Sequence, residues 1–324
     1  MSTAENAKLQ YEAGQNAVAM TALSNSGDET TFTSAASLWS GKSGYSPVVR
    51  PNGLLTGGAV SVNAANDKVT VAALTCNLQG VVTSVAAGEA TITRPASAKA
   101  KVCSITINSS GAIAVVAGTD SLSTAFSETR AAAGGPPLIP VDSIEIAQVR
   151  VTTSAAGAVA ASEIYQVVGL HTERADFPLW DVNYDEGSVT FLDALPEIHT
   201  GVVPKKVYAS YASPIFADVA LASDFVPPED AHSVASTQVY GTTLGSTSST
   251  LGQGSFTAYL SNGVSDALVQ LKNQTLWFKF FPDRYASPYL LAQGKLGVSR
   301  TFPAGDSIQA ACTISASAPA VEVA

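Results

Sequence analysis

Charge is scarce in this chain. Asp, Glu, Lys and Arg make up only 13% of the 324 residues, against about a quarter in ordinary soluble domains. The formal net charge is -9, and no Lys/Arg cluster occurs. Proteins that grip nucleic acid use such clusters to displace counterions, so DNA gripping is not expected. Cysteine is scarce as well. Cys76, Cys103 and Cys312 are too few and too far apart for a disulfide framework or a zinc site. Cys103 and Cys312 fall in alternating apolar stretches, as buried thiols do, which suits a reducing cytoplasm. No apolar run reaches the roughly 18 residues of a membrane span. The N-terminus lacks the basic-then-apolar order of a signal peptide.

Catalytic signatures are missing too. Gly41-Lys42-Ser43 has Ala36 where a phosphate-binding loop needs glycine, and Trp39 would fill the cradle. Asp181, Asn183 and Asp185 have calcium-loop spacing, but Glu186 stands where that loop needs glycine and Leu192 where it needs glutamate. A hairpin turn explains them better. His171, His199 and His232 are scattered, with no HExxH and no nucleophile elbow. Trp277, Phe278, Phe280 and Phe281 have only Lys279 beside them, so core packing is expected and not base stacking. No enzyme, no cofactor and no metal site is expected.

What the chain does have is Ala, Val, Thr, Ser and Gly, a bias toward β-structure with small-residue surfaces. Residues 1–25 are Ala-rich and weakly helical in pattern, and read as an arm. Residues 26–58 look irregular. From 54 to 163 come short β segments with turn signals about every 8–12 residues, the mark of a small sandwich or barrel. Here Lys68–Ala73 and the phase-shifted Leu74, Cys76 and Leu78 suggest one strand with a bulge near Ala73. Gly134-Gly135-Pro136-Pro137 is a strong breaker, and residues 143–151 form one more strand. Phe177, Trp180, Tyr184 and Phe191 mark an aromatic segment. In it, residues 181–184 and 188–192 pair across the turn at Asp185-Glu186-Gly187. Residues 206–216 open the last domain.

The clearest periodicity lies between 255 and 317. SFTAYL (255–260) is a strand. Asn262-Gly263 breaks it. A short helix follows, with Ser265 as cap, Asp266 in its first turn, Lys272 in its last, and Val264, Ala267, Leu268 and Leu271 on one face. TLWFKFF (275–281) is a strand buried on both faces. In the hairpin after it, Leu290, Ala292, Leu296 and Val298 share one face. Ile308, Ala310, Cys312 and Ile314 point inward, opposite Ser307, Gln309, Thr313 and Ser315.

That order resembles the C-terminal half of the tube domain in the major tail proteins of long-tailed bacteriophages. The resemblance covers roughly the last third of the chain and rests on a pattern of elements. It implies an all-β fold: an antiparallel β-sandwich tail-tube domain with one short α-helix at 166–324. Before it would come an N-terminal accessory small β domain at 51–165 and an arm with an irregular segment at 1–50. It implies a structural virion protein of a non-contractile tail, assembled in the host cytoplasm as stacked homohexameric rings. DNA would pass through the lumen unbound. Partners would be further copies of the chain and the tape measure, terminator and tail-tip proteins, with no membrane insertion. The alternative is a tail-fibre, baseplate or decoration protein.

Two sets of residues follow as candidates. The uncharged stretch Gly241, Thr242, Thr243, Leu244, Gly245, Ser246, Thr247, Ser248, Ser249, Thr250, Leu251, Gly252, Gln253 and Gly254 reads as a long loop; in tube proteins such a loop bridges neighbouring subunits. Asp218, Asp224, Glu229 and Asp230 flank the tube-domain strands and are candidate lumen acids.

Overall fold

The computed structural model describes residues 6–166, 179–200, 205–240 and 242–324. His171, Glu173, Asp176, Phe177 and Gly241 lie outside them. The chain is all-β: 51% strand and 3% helix, with antiparallel sheets. Among the described residues no helix is long and apolar enough to cross a membrane.

In chain order the first strands are β1 (Lys8–Ala22), β2 (Ser24–Asn25), β3 (Thr31–Thr33), β4 (Val48–Pro51), β5 (Gly53–Gly57), β6 (Val60–Val62), β7 (Lys68–Val71) and β8 (Leu74–Leu78). Next come β9 (Val81–Val85), β10 (Gly88–Thr91), β11 (Lys101–Ile107), β12 (Ile113–Ala117), β13 (Ile144–Val151), β14 (Ile164–Gln166), β15 (Trp180–Asn183) and β16 (Ser188–Phe191). The last group is β17 (Val207–Asp218), β18 (Ala222–Val226), β19 (Asp230–Val239), β20 (Thr242–Leu251), β21 (Gly254–Tyr259), helix α1 (Ala267–Gln270), β22 (Thr275–Phe281), β23 (Tyr289–Thr301), β24 (Gln309–Ala316) and β25 (Val321–Val323).

Two compact units form. Unit 1 is Met1–Ala17, Leu38–Ser46 and Tyr211–Ala324, and unit 2 is Val18–Ser37 and Pro47–Ser210. This differs from the expected boundary at 166. The first residues fold with the C-terminal unit, and residues up to 210 fold with the middle of the chain. β1 and β17 each contribute residues to both units.

In unit 1 the sheet order is β18-β21-β24-β23-β22-β1-β17, with β25 paired to β23. The expected alternation holds in β24: Ala310, Cys312 and Ile314 are buried, while Ala311, Thr313 and Ser315 are exposed. Leu276, Trp277 and Phe278 are buried in succession, as a strand covered on both faces requires. Lys279 follows them with its ammonium 4.2 Å from the Phe216 ring centroid and 4.8 Å from that of Tyr289. Burial there pulls its pKa below the ordinary lysine value.

The expected N-terminal arm is instead strand β1. Lys8 to Tyr11 pair with Phe281 to Phe278, and Leu9 and Tyr11 join the core. The ladder stops at Tyr11, and the fully buried Glu12 side chain takes over. Its carboxyl accepts the Trp277 backbone N–H at 3.1 Å, the Ser40 hydroxyl, and Gln15 Nε2 at 2.9 Å. The neighbouring Trp39 is also fully buried, stacks on Tyr211 at 4.6 Å, and accepts the Trp277 indole N–H at 2.8 Å through its carbonyl. Residues 38–46 are thereby tied into unit 1, although the sequence reads there as irregular.

The helix is shorter than its pattern suggests. α1 spans four residues, its cap position is Asp266 and not Ser265, and Val264 is exposed. Asn262 Oδ1 takes the N–H groups of Val264 and Ser265, and the Asp266 carboxylate takes those of Ser261, Asn262 and Gly263. Such side-chain bonds compete with helical ones. At the other end the helix closes at Leu271, Lys272 lies in the turn that follows, and Asn273 has a positive φ of 67° beyond it. Leu268 and Val269 still point inward.

Unit 2 has a separate core drawn from residues 54 to 164. Its sheets are β12-β11-β13-β14, β10-β7-β6, β5-β8-β9 and β15-β16-β3-β2, and the start of β17 pairs with β4. The expected bulge at Ala73 is a change of sheet: β7 pairs with β6 and β10, while β8 pairs with β5 and β9. The strands they pair with, β5 and β6, are joined at the same level through Gly57 and Gly58, both at positive φ. A Cβ on Gly57 would lie 2.2 Å from the Ala73 carbonyl oxygen, so the crossing needs glycine. Asp181 and Asn183 sit in the β15–β16 hairpin, as expected.

Two polar groups are sealed into unit 2. Glu145 is fully buried, pairs with Arg130, and accepts the Ser104 hydroxyl at 2.5 Å. His199 is 1% exposed and bridges Ile139 in a parallel pairing. Its Nδ1 lies 3.3 Å from the Pro140 carbonyl oxygen, and its Nε2 has no hydrogen-bond partner among the described residues. Burial lowers its pKa below the ordinary 6.5; the cations Lys205 and Arg130 lower it further, while the Pro140 carbonyl and Asp142 act the other way.

Two outcomes follow. Glu12→Ala would strand the buried Trp277 N–H and Ser40 hydroxyl, and unit 1 should lose about 3 kcal/mol in denaturant titration; a change within error would show that Glu12 is not a clamp. For His199 the folded pKa lies below the unfolded one, so the unfolded chain binds the proton first. Stability is whole above pH 6.5 and drains as pH falls from there toward the folded value. Thermal melts of His199→Gln should be flatter across that window than those of the native chain, and an unchanged slope would contradict this.

Candidate assembly surface

β19 and β20 form a two-stranded ribbon with ten consecutive pairs, from Asp230↔Leu251 to Val239↔Thr242. At about 3.4 Å per residue it is roughly 30 Å long. Thus the stretch expected as a loop is one strand of a hairpin. Thr and Ser recur along both strands, with Val234 and Val239 in β19, and β-branched residues favour the extended backbone. The pairing partner, residues 230–239, carries no sequence mark of its own.

Among the described residues the ribbon pairs with no other strand. Its described side chains are exposed on both faces; only Leu251 at the foot is half-buried. Val234 is 77% exposed. Between residues 231 and 254 there is no Asp, Glu, Lys or Arg. Ser233 and Ser248 hydroxyls meet at 2.7 Å across the strands.

Its foot, by contrast, is fixed. Gly252 N–H donates to the Glu229 carbonyl at 2.9 Å, and Ala320 N–H to that of Pro228 at 2.7 Å. A Cβ on Gly254 would crowd Pro228, the Val226 carbonyl and Ile314 within about 3.2 Å, so the ribbon leaves the sheet through a tightly packed base.

The ribbon emerges beside β18, which among the described residues is an edge strand paired with β21 alone. Its register shifts between Ser223 and Val226, and Asp224 sits there with a positive φ of 55°. Such a bulge protects an open edge. Leu221 and Val226 are exposed along it, at 64% and 51%.

The four candidate acids all lie on the stretch from the end of β17 to the ribbon's foot, but they differ in state. Asp218 is engaged: Gln10 Nε2 donates to it at 2.8 Å and Lys8 Nζ lies 3.3 Å away. Those contacts hold its pKa below the usual range against a smaller desolvation effect. Its charge is largely matched, which the sequence, 210 residues apart, did not signal. Asp224 accepts the Ser223 hydroxyl at 2.8 Å. Asp224, Glu229 and Asp230 are exposed. Among the described residues no three His, Cys, Asp or Glu side chains gather as a metal site. All three cysteines are buried and free.

No family model, curated protein or solved structure matches this chain.

Proposed function

We propose that this chain is a tail-tube subunit of a long, non-contractile phage tail, polymerising as stacked hexameric rings through which DNA passes unbound. The observation that carries the reading is the exposed ribbon, free of Asp, Glu, Lys and Arg beyond Asp230 at its foot, on an all-antiparallel unit. A two-stranded hairpin is marginal in water by itself. Ten pairs with neither face covered gain little from burial, and two open edges invite pairing. Such an element is sensible when a neighbouring subunit covers it. Lack of charge lowers the desolvation cost of that burial.

A ring closes by heterologous contacts, in which one face of a subunit meets a different face of the next. The ribbon would be one such face. The sheet edge at β18, with exposed Leu221 and Val226, supplies a surface of the other kind. The chemistry is non-covalent throughout. The acidic balance fits a conduit, since a wall that repels phosphate does not hold DNA.

The second core, drawn from residues 54 to 164, favours one other reading: a tail-fibre, baseplate or decoration protein whose middle unit binds host or virion surfaces. Symmetry separates the two, since fibres are typically slender trimers.

Replacing residues 231–250 with a short turn tests the assignment. The subunit should remain folded with an unchanged unfolding midpoint, because surface loops tolerate length changes. It should sediment as a monomer under conditions in which the full chain forms tubes. Normal tubes from the shortened chain would overturn the role of the ribbon.

Charge supplies a second test. Asp224, Glu229 and Asp230 are the exposed acids of the candidate set with no cation against them among the described residues, and six-fold repetition multiplies each around a bore. Glu229→Lys in assembled tails should slow DNA ejection. The effect should be greatest at 0.01 M salt, where the Debye length is about 30 Å, and smaller at 0.1 M, where it is about 10 Å. A bore lined chiefly by Lys and Arg, or ejection indifferent to the change at low salt, would contradict the conduit account.

A further inference from the structure

The sequence contains two Asn-Gly pairs, Asn52-Gly53 and Asn262-Gly263. Such pairs are chemically labile, because glycine has no Cβ to shield its nitrogen and bends freely toward the preceding side chain. The structure treats the two differently. Asn52 is buried and locked: its Nδ2 donates to Asp142 at 3.1 Å and its Oδ1 accepts the Gln79 N–H at 2.8 Å. Gly53 is held in β5 opposite Asn77.

Asn262 is exposed in the turn between β21 and α1. The Gly263 N–H donates to the Asp266 carboxylate at 2.7 Å. Asn262 Oδ1 accepts the N–H groups of Val264 and Ser265, both at 2.8 Å. Asn262 Nδ2 donates to Ser265 Oγ at 2.5 Å. Gly263 has a positive φ of 72°.

These are the parts of an acyl-transfer centre. A carboxylate on the nucleophile's N–H is placed as a general base. Two N–H groups on the amide oxygen are placed to stabilise the charge that gathers there on attack. A hydroxyl beside the leaving nitrogen can relay a proton to it. Covalent adjacency supplies the proximity. Desolvation acts to raise the Asp266 pKa, but the N–H groups of Ser261, Asn262 and Gly263 outweigh it, so the carboxyl stays charged at neutral pH.

We propose that Asn262 is a self-deamidating site, in which the Gly263 nitrogen attacks the Asn262 side-chain carbonyl carbon with Asp266 as general base. The nitrogen–carbon bond forms as the Gly263 proton passes to Asp266. The bond from that carbon to Nδ2 then breaks, and ammonia leaves carrying the proton, relayed through Ser265. Water opens the resulting five-membered imide to aspartate or isoaspartate and is the only other reactant. The product places a second carboxylate beside Asp266, where like charges repel. Arg300 Nη1 donates to the Gly263 carbonyl at 2.6 Å, and Gly263 packs against the exposed Phe302 ring. Conversion therefore changes the charge and anchoring of this corner of unit 1 as the protein ages.

Incubating the full-length chain at neutral pH, then mapping peptides by mass spectrometry with enzymatic detection of isoaspartate, tests this. Asn262 should convert while Asn52 in the same sample stays intact, which also reports that the chain remains folded. Asp266→Asn keeps the shape but not the base, and should slow conversion by roughly tenfold or more. Its rate should climb with hydroxide concentration, while the native rate stays flatter. Ser265→Ala should slow conversion less. An intact Asn262 after a free peptide of the same sequence has converted would overturn the proposal. So would an Asp266→Asn chain that converts as fast as the native one, or equal conversion at Asn52.

Discussion

Unit 1 depends on a carboxyl group with no access to water. Glu12 ends the β1–β22 ladder and receives the next N–H of the partner strand in place of a backbone carbonyl. The same group holds Ser40, and with it the segment that carries Trp39. A buried carboxyl is costly unless its lone pairs are filled, and here three donors fill them. The arrangement joins three stretches far apart in sequence: residues near 12, near 40 and near 277. Remove it and the strand that closes the core, and the tryptophan stacked on Tyr211, lose a common anchor.

With that core closed, the remainder of unit 1 divides into a fixed part and an uncovered part. The sheet from β21 to β24 buries its apolar face in the usual alternation, and Gly252 and Gly254 clamp the exit of the ribbon. Beyond that point the described side chains stay exposed, and the Ser233–Ser248 hydroxyl contact is a cross-strand bond made on the surface. A monomer gains nothing obvious from keeping a roughly 30 Å uncharged ribbon in register. An assembly does, because the same polar, small-residue surface can be buried at low desolvation cost. This contrast between a tight foot and an uncovered shaft is the physical basis of the tube reading.

The C-terminal strands were legible in the sequence because each buries one face, so Ala310, Cys312 and Ile314 show period two. The Asp185-Glu186-Gly187 turn was legible from its turn residues. β1 was not, since the run after Tyr11 is Ala-rich and helix-like, and a glutamate that points inward breaks the binary pattern. Trp39 looked like loop because what buries it, Tyr211 and Trp277, is distant along the chain. Lys68 to Leu78 showed its change of phase, but a bulge and a change of sheet leave the same trace; only the partner strands tell them apart. The helix pattern between 264 and 271 was real at Leu268 and failed at Val264, where Asn262 and Asp266 captured the backbone donors. The candidate loop failed as a loop because a ribbon exposed on both faces has no apolar alternation to show. The pairing of Asp218 with Lys8 was hidden for a simpler reason: the two meet only through the fold.

Electron microscopy of the purified full-length chain at rising concentration tests the central claim most directly. The account predicts rings with six-fold symmetry that stack into tubes with an open bore. Particles that remain monomeric at every concentration, or that associate as slender trimers, would contradict it.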